Sequence, residues 1–312
     1  MKLFDDIELI DLGVYVNNCL IFSDFHIGYE EMLNKQGVMV PRFHFPEVIK
    51  RLDCIFSRLK GKNARIKSGT NSISIEKIII NGDLKHEFGR ISEQEWRHTL
   101  RLLDYLRQHC KEIVLIKGNH DTILGPIAKK RDVNVVDGFV IEPIIKNSNK
   151  GKSIKNLSII SKSNNKDKSI KKFQKKQLSL KSLKIIEKLT LEKETIGKKL
   201  LKNEKNNILI IHGDKIPDKN LLKDVSTIII GHEHPAVSIK EGPRVELFKA
   251  FLIGKWKRKN LIVLPSFNLV TEGSDIMKEK VLSPFLKNNL RNFKAVVVGD
   301  KLYGFGKVGD LS

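Results

Sequence analysis

The chain has 312 residues, 40% of them hydrophobic and 7% aromatic, ordinary values for a globular protein and ample for one large core. Its formal charge of +21, from 57 basic and 36 acidic residues, points toward polyanionic partners such as nucleic acid or an acidic membrane surface. No stretch approaches the ~20 apolar residues of a membrane span, and the opening MKLFDDIELIDLG carries acids where a signal peptide needs an apolar core, so the expectation is a cytoplasmic protein without a membrane segment.

Five short apolar runs each stop at a polar cluster. The first is NCLIFSDFHIG, at 18–28. After it, residues 46–60 place apolar side chains at three- and four-residue steps, which predicts a helix. KIIINGDLKH, at 77–86, is the second run, and 92–110 predicts another helix through Trp96, Leu100, Leu103 and Leu106. EIVLIKGNHD follows at 112–121, NILIIHGD at 207–214 and STIIIGHEHP at 226–235. Runs of this length and composition predict buried strands, and a strand that ends in Gly, Asp, Asn or His aims a loop from a rigid sheet. Beyond them, 244–252, 259–264, 293–298 and 301–305 predict a second set of strands, with a hairpin turn near Gly299 and Asp300.

Residues 146–205 stand apart. They hold 19 Lys, no Arg and 5 acids, a net +14, which leaves +7 for the rest of the chain. Lys/Ser/Asn-rich composition predicts disorder or a loose hairpin, with a basic helical pattern over 175–203. The chain therefore reads as one domain, 1–312, interrupted by a basic insertion at 146–205. Cys19, Cys54 and Cys110 are odd in number, far apart and without CxxC spacing, which argues against a disulfide scaffold; Cys19 and Cys54 are expected to be buried.

The polar residues at the five strand ends form one candidate set: Asp24 and His26; Asp83; Asn119, His120 and Asp121; His212 and Asp214; His232 and His234. Carboxylate, carboxamide and imidazole together suit Mn²⁺, Fe²⁺ or Zn²⁺, and the lack of Cys argues against a structural zinc site. On an extended strand end residues i and i+2 share a face, so Asp24 and His26 can grip one ion, while His232 and His234 can reach one ion or two adjacent ones. Gly82 and Gly231 precede candidate ligands and permit tight turns. His44, His98 and His109 read as structural.

The ordered set DxH, GD, GNHD, H and GHxH resembles the calcineurin-like metallophosphoesterase superfamily, over about two thirds of the chain. SDFHIGYEEMLNKQGVMVPR, NGDLKHEFG, GHEHP and VLPSFNLVTEG are more closely similar to archaeal phosphoesterases related to DNA-repair nucleases and to bacterial ligase-associated phosphoesterases. The resemblance implies an α/β fold, a four-layer α/β/β/α sandwich of two mixed sheets flanked by helices. It implies that Asp24, His26 and His234 hold one metal, Asn119, His212 and His232 a second, and that Asp83 bridges both. His120 would sit by the phosphate, and Asp121 would orient His120 through a hydrogen bond. Two ions ~3.5–4 Å apart would activate a water as the attacking hydroxide. Mn²⁺ is the expected metal, with Fe²⁺ or Zn²⁺ as alternatives. Arg42, His86 and Lys85 are candidate substrate contacts, Arg42 as a partner for phosphate.

The same site chemistry serves several substrates. A nucleic-acid phosphodiesterase agrees with the basic charge; a small-molecule phosphatase or cyclic-nucleotide phosphodiesterase would use the same residues; a non-catalytic interaction protein would be expected to have lost ligands. A helicase or ligase as working partner is implied by the resemblance alone.

Overall fold

Two sheets are stacked so that the ends of their parallel strands meet. A computed structural model describes residues 1–4, 6–65, 75–143, 159–160, 206–287 and 290–311. The expected disorder of the Lys-rich insertion and its helix at 175–203 fall outside the described residues. The first sheet runs, in spatial and chain order, β1 (Glu8–Ile10), β2 (Gly13–Val16), β3 (Cys19–Phe22), β4 (Lys77–Asn81), β5 (Glu112–Ile116) and β6 (Asn134–Val136). Its first two pairings are antiparallel and the last three parallel, so the carboxyl ends of β3, β4 and β5 lie side by side, with Phe22 opposite Ile80 and Ile80 opposite Leu115.

The second sheet comprises β7 (Gly138–Ile141), β8 (Ile159–Ile160), β9 (Asn207–Ile210), β10 (Val225–Ile230), β11 (Pro235–Glu241), β12 (Arg244–Trp256), β13 (Lys259–Val263), β14 (Ser274–Asp275), β15 (Lys294–Val298) and β16 (Leu302–Lys307). Here β9, β10 and β13 are parallel neighbours and the flanking pairs are antiparallel. Its strands alternate as period 2 requires. Ile208, Ile210, Ile229 and Ile262 join the core shared with the first sheet, while Leu209, Ile211, Ile228, Ile230 and Leu261 enter a second core on the other face. Each such fully buried aliphatic contributes roughly 1.5–3 kcal/mol.

The helices predicted at 46–60 and 92–110 form, and two short ones that were not predicted join them. They are α1 (Tyr29–Lys35), α2 (His44–Arg65), α3 (Glu93–Arg107) and α4 (Gly125–Arg131), all from the first half of the chain. Helix α2 turns Val48, Leu52, Ile55, Phe56 and Leu59 inward, and α3 turns Leu100, Leu102, Leu103 and Leu106 inward. Ser92 starts α3 with a capping box, its hydroxyl accepting from Glu95 N at 3.1 Å. Over the second sheet the cover comes from Ile276, Phe285, Leu286 and Phe293, so among the described residues its outer face is closed by loop and 3₁₀ segments. No helix of the described residues is long and apolar enough to cross a membrane.

Cys19 is buried as expected, but Cys54 is exposed. At 100° per residue Cys54 sits about 200° around the helix from the buried Leu52, so the apolar stripe misses it. The three histidines read as structural each take a structural place. His98 stacks on Phe45 at 4.5 Å, His109 stacks on Phe56 at 4.0 Å, and His44 is buried.

Burial, and then the charge of Lys249, lowers the His44 imidazole to about 4. The fold therefore prefers neutral His44. As pH falls from about 6.5 toward 4 the unfolded chain takes up a proton that the folded chain refuses, and stability is lost, by on the order of 3 kcal/mol at most. His44→Leu is expected to flatten the fall in Tm between pH 7 and pH 5, measured by calorimetry in EDTA, by roughly 5 °C; an unchanged slope would count against a neutral buried His44.

Candidate metal centre

The expected residues arrive at the meeting edge of the two sheets, and they do so by leaving the strand conformation. Asp24, His26, Asp83, His232 and His234 all have positive φ, between 46° and 67°. Left-handed backbone costs a non-glycine residue about 1–2 kcal/mol, so each of these positions carries strain. The extended-strand argument for Asp24 and His26 is thus corrected: β3 stops at Phe22, and a left-handed turn at each residue aims the pair.

Three groups of side chains bring donor atoms within 4.8 Å of one another: Asp24, His26 and His234; Asp83, His212 and His232; and His26, His86 and His120. Asn119 joins the second group, its Oδ1 lying 2.9 Å from His212 Nε2. Asp83 Oδ2 sits between the first two groups, 3.7 Å from His26 Nε2 and 3.4 Å from His212 Nε2. Of the two alternatives for His232 and His234, the structure has them in separate groups.

The remaining atoms of these side chains are fastened. Asp24 Oδ2 accepts from His232 N at 3.0 Å and lies 2.6 Å from Ser23 Oγ. Asp83 Oδ1 accepts from His120 N at 2.9 Å. His212 Nδ1 faces the Asn81 carbonyl at 3.2 Å, which leaves Nε2 toward Asp83 and Asn119. Such outer contacts fix which atom a ligand presents.

Asp24 Oδ1 is fully buried and takes no hydrogen bond among the described residues, although His234 Nε2 lies 3.4 Å away. His26 Nε2 and His234 Nε2 face each other at 3.2 Å. A buried carboxylate oxygen without a donor beside two converging imidazole nitrogens is the surrounding a divalent cation satisfies, so the residues present fit a metal.

The electrostatics agree. Burial alone would raise the Asp24 carboxyl, but the imidazoles of His234, His212 and His26 hold it well below the carboxylate range. Burial would lower His212, yet the Asp83 and Asp24 carboxylates raise it to about 9. Metal-free His212 is therefore protonated at neutral pH, and a cation must displace that proton. Burial, and then the His234 imidazole, press His26 far below its ordinary value.

Glycines make the approach possible. A Cβ on Gly118 would lie 2.1 Å from Asp83 Oδ1 and 2.4 Å from Asp83 N; one on Gly82 would lie 2.1 Å from His212 Nδ1. Gly118→Ala must push Asp83 aside, and a displacement near 1 Å costs about 10²-fold in rate. The expected result is a comparable fall in kcat/KM on a phosphate ester, with substoichiometric metal by elemental analysis. Wild-type metal content and rate in that variant would show that Asp83 has room to move.

The other candidates divide. Asp121 is buried, but its carboxylate accepts from Gly118 N at 3.1 Å, Leu84 N at 3.4 Å and Lys85 N at 3.5 Å. His120 Nδ1 faces the His86 carbonyl instead. The expected Asp121–His120 hydrogen bond is therefore corrected: Asp121 ties together the two loops that carry Asp83 and His120. Burial, then Asp83, raises its carboxyl to about 6.

Lys85 is fully buried, its ammonium on the Glu87 carbonyl, so it is withdrawn from the mouth where a substrate contact was expected. His86 does lie at the cluster, its Nδ1 3.1 Å from His26 Nδ1 and its ring stacked on His120. Burial, then His120, lowers it to about 4. Arg42 is exposed and lines a groove with α3 residues rather than joining these groups. Asp214 is partly exposed, 3.9 Å from Lys215.

Sequence reasoning missed four residues. Ser23 braces Asp24. Glu95 accepts from the backbone N–H groups of His86 and Glu87 at 2.7 and 2.9 Å, holding the His86 loop. Glu233, buried within GHEH, accepts from Leu282 N and Ser283 N. Phe88 is 57% exposed with its ring 3.8 Å from that of His120. Only Glu95 carried a signal, the S-x-x-E spacing from Ser92.

No curated protein matches the chain. Among solved structures it is similar to the crystal structure of Pseudomonas putida nuclease MPE, at 16% identity over 96% of this chain and 94% of that one, with a TM-score of 0.46, too distant to carry a functional statement. Residues 18–236, which hold all three donor groups, match the family described as Calcineurin-like phosphoesterase, and the chain belongs to that family.

Proposed function

We propose that the protein hydrolyses phosphodiesters, of nucleic acid or nucleotides, at a pair of divalent cations. Family membership carries the coarser statement, a phosphate-ester hydrolase that uses divalent metal. The observation that supports the pair is Asp83 Oδ2, within 3.7 Å of a nitrogen in each of two donor groups. Asp24, His26 and His234 would hold one ion, Asn119, His212 and His232 the other, and Asp83 both. Two such ions supply a water of lowered pKa and positive charge against the phosphate. Mn²⁺ suits these oxygen and imidazole donors, and Fe²⁺ or Zn²⁺ fits them too.

The chain does the rest. Hydrogen bonds on the outer atoms of Asp24, Asp83 and His212 hold the inner atoms aimed before substrate arrives. Asn119 is neutral, so the second group is less anionic than the first and repels a phosphate less. His120, with Nδ1 donating to the His86 carbonyl, presents Nε2 at 4.0 Å from Asp83 Oδ2. From there it can hydrogen-bond the phosphate and protonate the departing oxygen. The charge of +21 supports a polyanionic substrate over a small one.

The test is hydrolysis of bis-(p-nitrophenyl) phosphate beside the monoester, with Mn²⁺ and with EDTA. Diester cleavage that requires Mn²⁺ is expected. Cleavage that survives EDTA would sink the proposal, and strong preference for the monoester would favour a small-molecule phosphatase.

A further inference from the structure

A groove of 510 Å³ lies between the start of α2 and one face of α3, lined by Arg42, Phe45, Ile49, Gln94, Arg97, His98 and Arg101 among others. Three guanidinium groups converge on it. Arg97 has a carboxylate only at 3.9 Å, from Glu93, with both side chains largely exposed; Arg42 and Arg101 have none in ion-pair range among the described residues. Exposed pairs of that kind contribute little, so the groove holds concentrated, uncompensated positive charge. The same three arginines, after burial, help press His98 below its ordinary value, opposed by Glu31.

The walls fix where that charge points. The Phe45 ring is stacked on His98 at 4.5 Å with 17° between planes, and the Arg101 guanidinium lies 5.0 Å from its centroid. The ring is thus engaged by its neighbours and serves to hold Arg101 in place. Beside it, Met39 and Phe43 stand exposed on the segment that carries Arg42.

The groove is tied to the metal centre through the start of α1. Tyr29 packs on His86 at 4.7 Å between ring centroids, and the next residue, Glu30, accepts from His44 N at 2.9 Å and from Gln94 Nε2 at 3.4 Å. The adjacent residues Tyr29 and Glu30 thus contact the centre and the groove wall respectively.

We infer that the groove is a secondary site for the sugar-phosphate backbone of a polynucleotide whose scissile phosphate occupies the metal centre. Guanidinium forks match phosphate oxygens two at a time, and because the aromatic face is already occupied, the groove grips backbone without reading bases. The occupant's identity rests on the phosphodiester reading; the existence of an anion site does not.

The test is binding of a fluorescein-labelled single-stranded 20-mer to the full chain in EDTA, by anisotropy, across a salt series. The combined variant Arg42→Gln, Arg97→Gln, Arg101→Gln is expected to bind at least about tenfold more weakly, and to lose about 2 from the log–log salt slope, ~0.7 for each of three phosphates. Lys240→Gln, Lys255→Gln, Arg258→Gln removes the same charge from exposed positions on the second sheet and is expected to cost under twofold. Hydrolysis of bis-(p-nitrophenyl) phosphate, too small to span both sites, stays unchanged in both variants.

Equal losses in the two variants, or none in the first, would overturn the inference, as would displacement of the 20-mer by poly-glutamate as readily as by unlabelled strand. Failure of the wild type to cleave the small diester with Mn²⁺ would instead overturn the functional proposal, leaving the binding comparison to judge the groove.

Discussion

Asp83→Asn is expected to leave the chain with less than one equivalent of tightly bound divalent metal and to slow hydrolysis of a phosphodiester by roughly 10³-fold or more. The substitution is informative because so little else changes. Asp83 has φ of 47°, a conformation that asparagine also tolerates. Its Oδ1 bond from His120 N can be kept by the carboxamide oxygen. What disappears is the negative charge on Oδ2, the atom 3.7 Å from His26 and 3.4 Å from His212. The new NH₂ would aim a donor where the two proposed cations would need an acceptor. A single carboxylate whose loss costs several kcal/mol of transition-state stabilisation gives the stated factor, at 1.36 kcal/mol for each tenfold. Elemental analysis after gel filtration and kcat on bis-(p-nitrophenyl) phosphate supply the check. Two equivalents retained with a rate within tenfold of wild type would mean that Asp83 bridges nothing.

How far the sequence disclosed this site depends on which part is considered. The parallel strands were legible because runs such as KIIIN and EIVLI carry uninterrupted aliphatic residues through their middles, as strands buried on both faces must. That the polar residues beyond Phe22, Asn81, Ile116, Ile211 and Ile230 form one candidate set was read from each closing a strand, and their meeting at one site was implied by the family resemblance. The conformation that delivers them was not legible. Asp24 and His26 are aimed by left-handed turns, and nothing in the letters D-F-H distinguishes that from continued extension; the pairing was expected for the wrong geometric reason. Lys85 and Asp121 failed on where their side chains turn once the loops are packed. The Lys85 ammonium folds onto the Glu87 carbonyl two residues on, and the Asp121 carboxylate spans from Gly118 N in its own loop to Leu84 N in another; neither turn is written in the local sequence. Cys54 failed on helical phase, which periodicity fixes to within a residue and burial decides to within one face.

His120→Ala should separate the chemistry of the centre from its metal. The His120 imidazole stands at the more exposed side of the group, its Nδ1 on the His86 carbonyl and its Nε2 4.0 Å from Asp83 Oδ2. A side chain placed to protonate a departing oxygen contributes typically 10²–10⁴-fold, and the contribution depends on how much that oxygen needs a proton. An alkoxide leaving from a nucleotide needs one; p-nitrophenolate spreads its charge over the ring and needs it far less. The variant is therefore expected to lose about 10²-fold or more in kcat on an oligonucleotide, distinctly less on bis-(p-nitrophenyl) phosphate, with metal content unaltered. Equal losses on both substrates would assign His120 to holding the phosphate rather than the leaving group. Loss of metal would point elsewhere, because His120 also converges with His26 and His86 into a third donor group. In that event the imidazole would act by holding an ion, and the proton donor would have to be sought among the partly exposed histidines that remain.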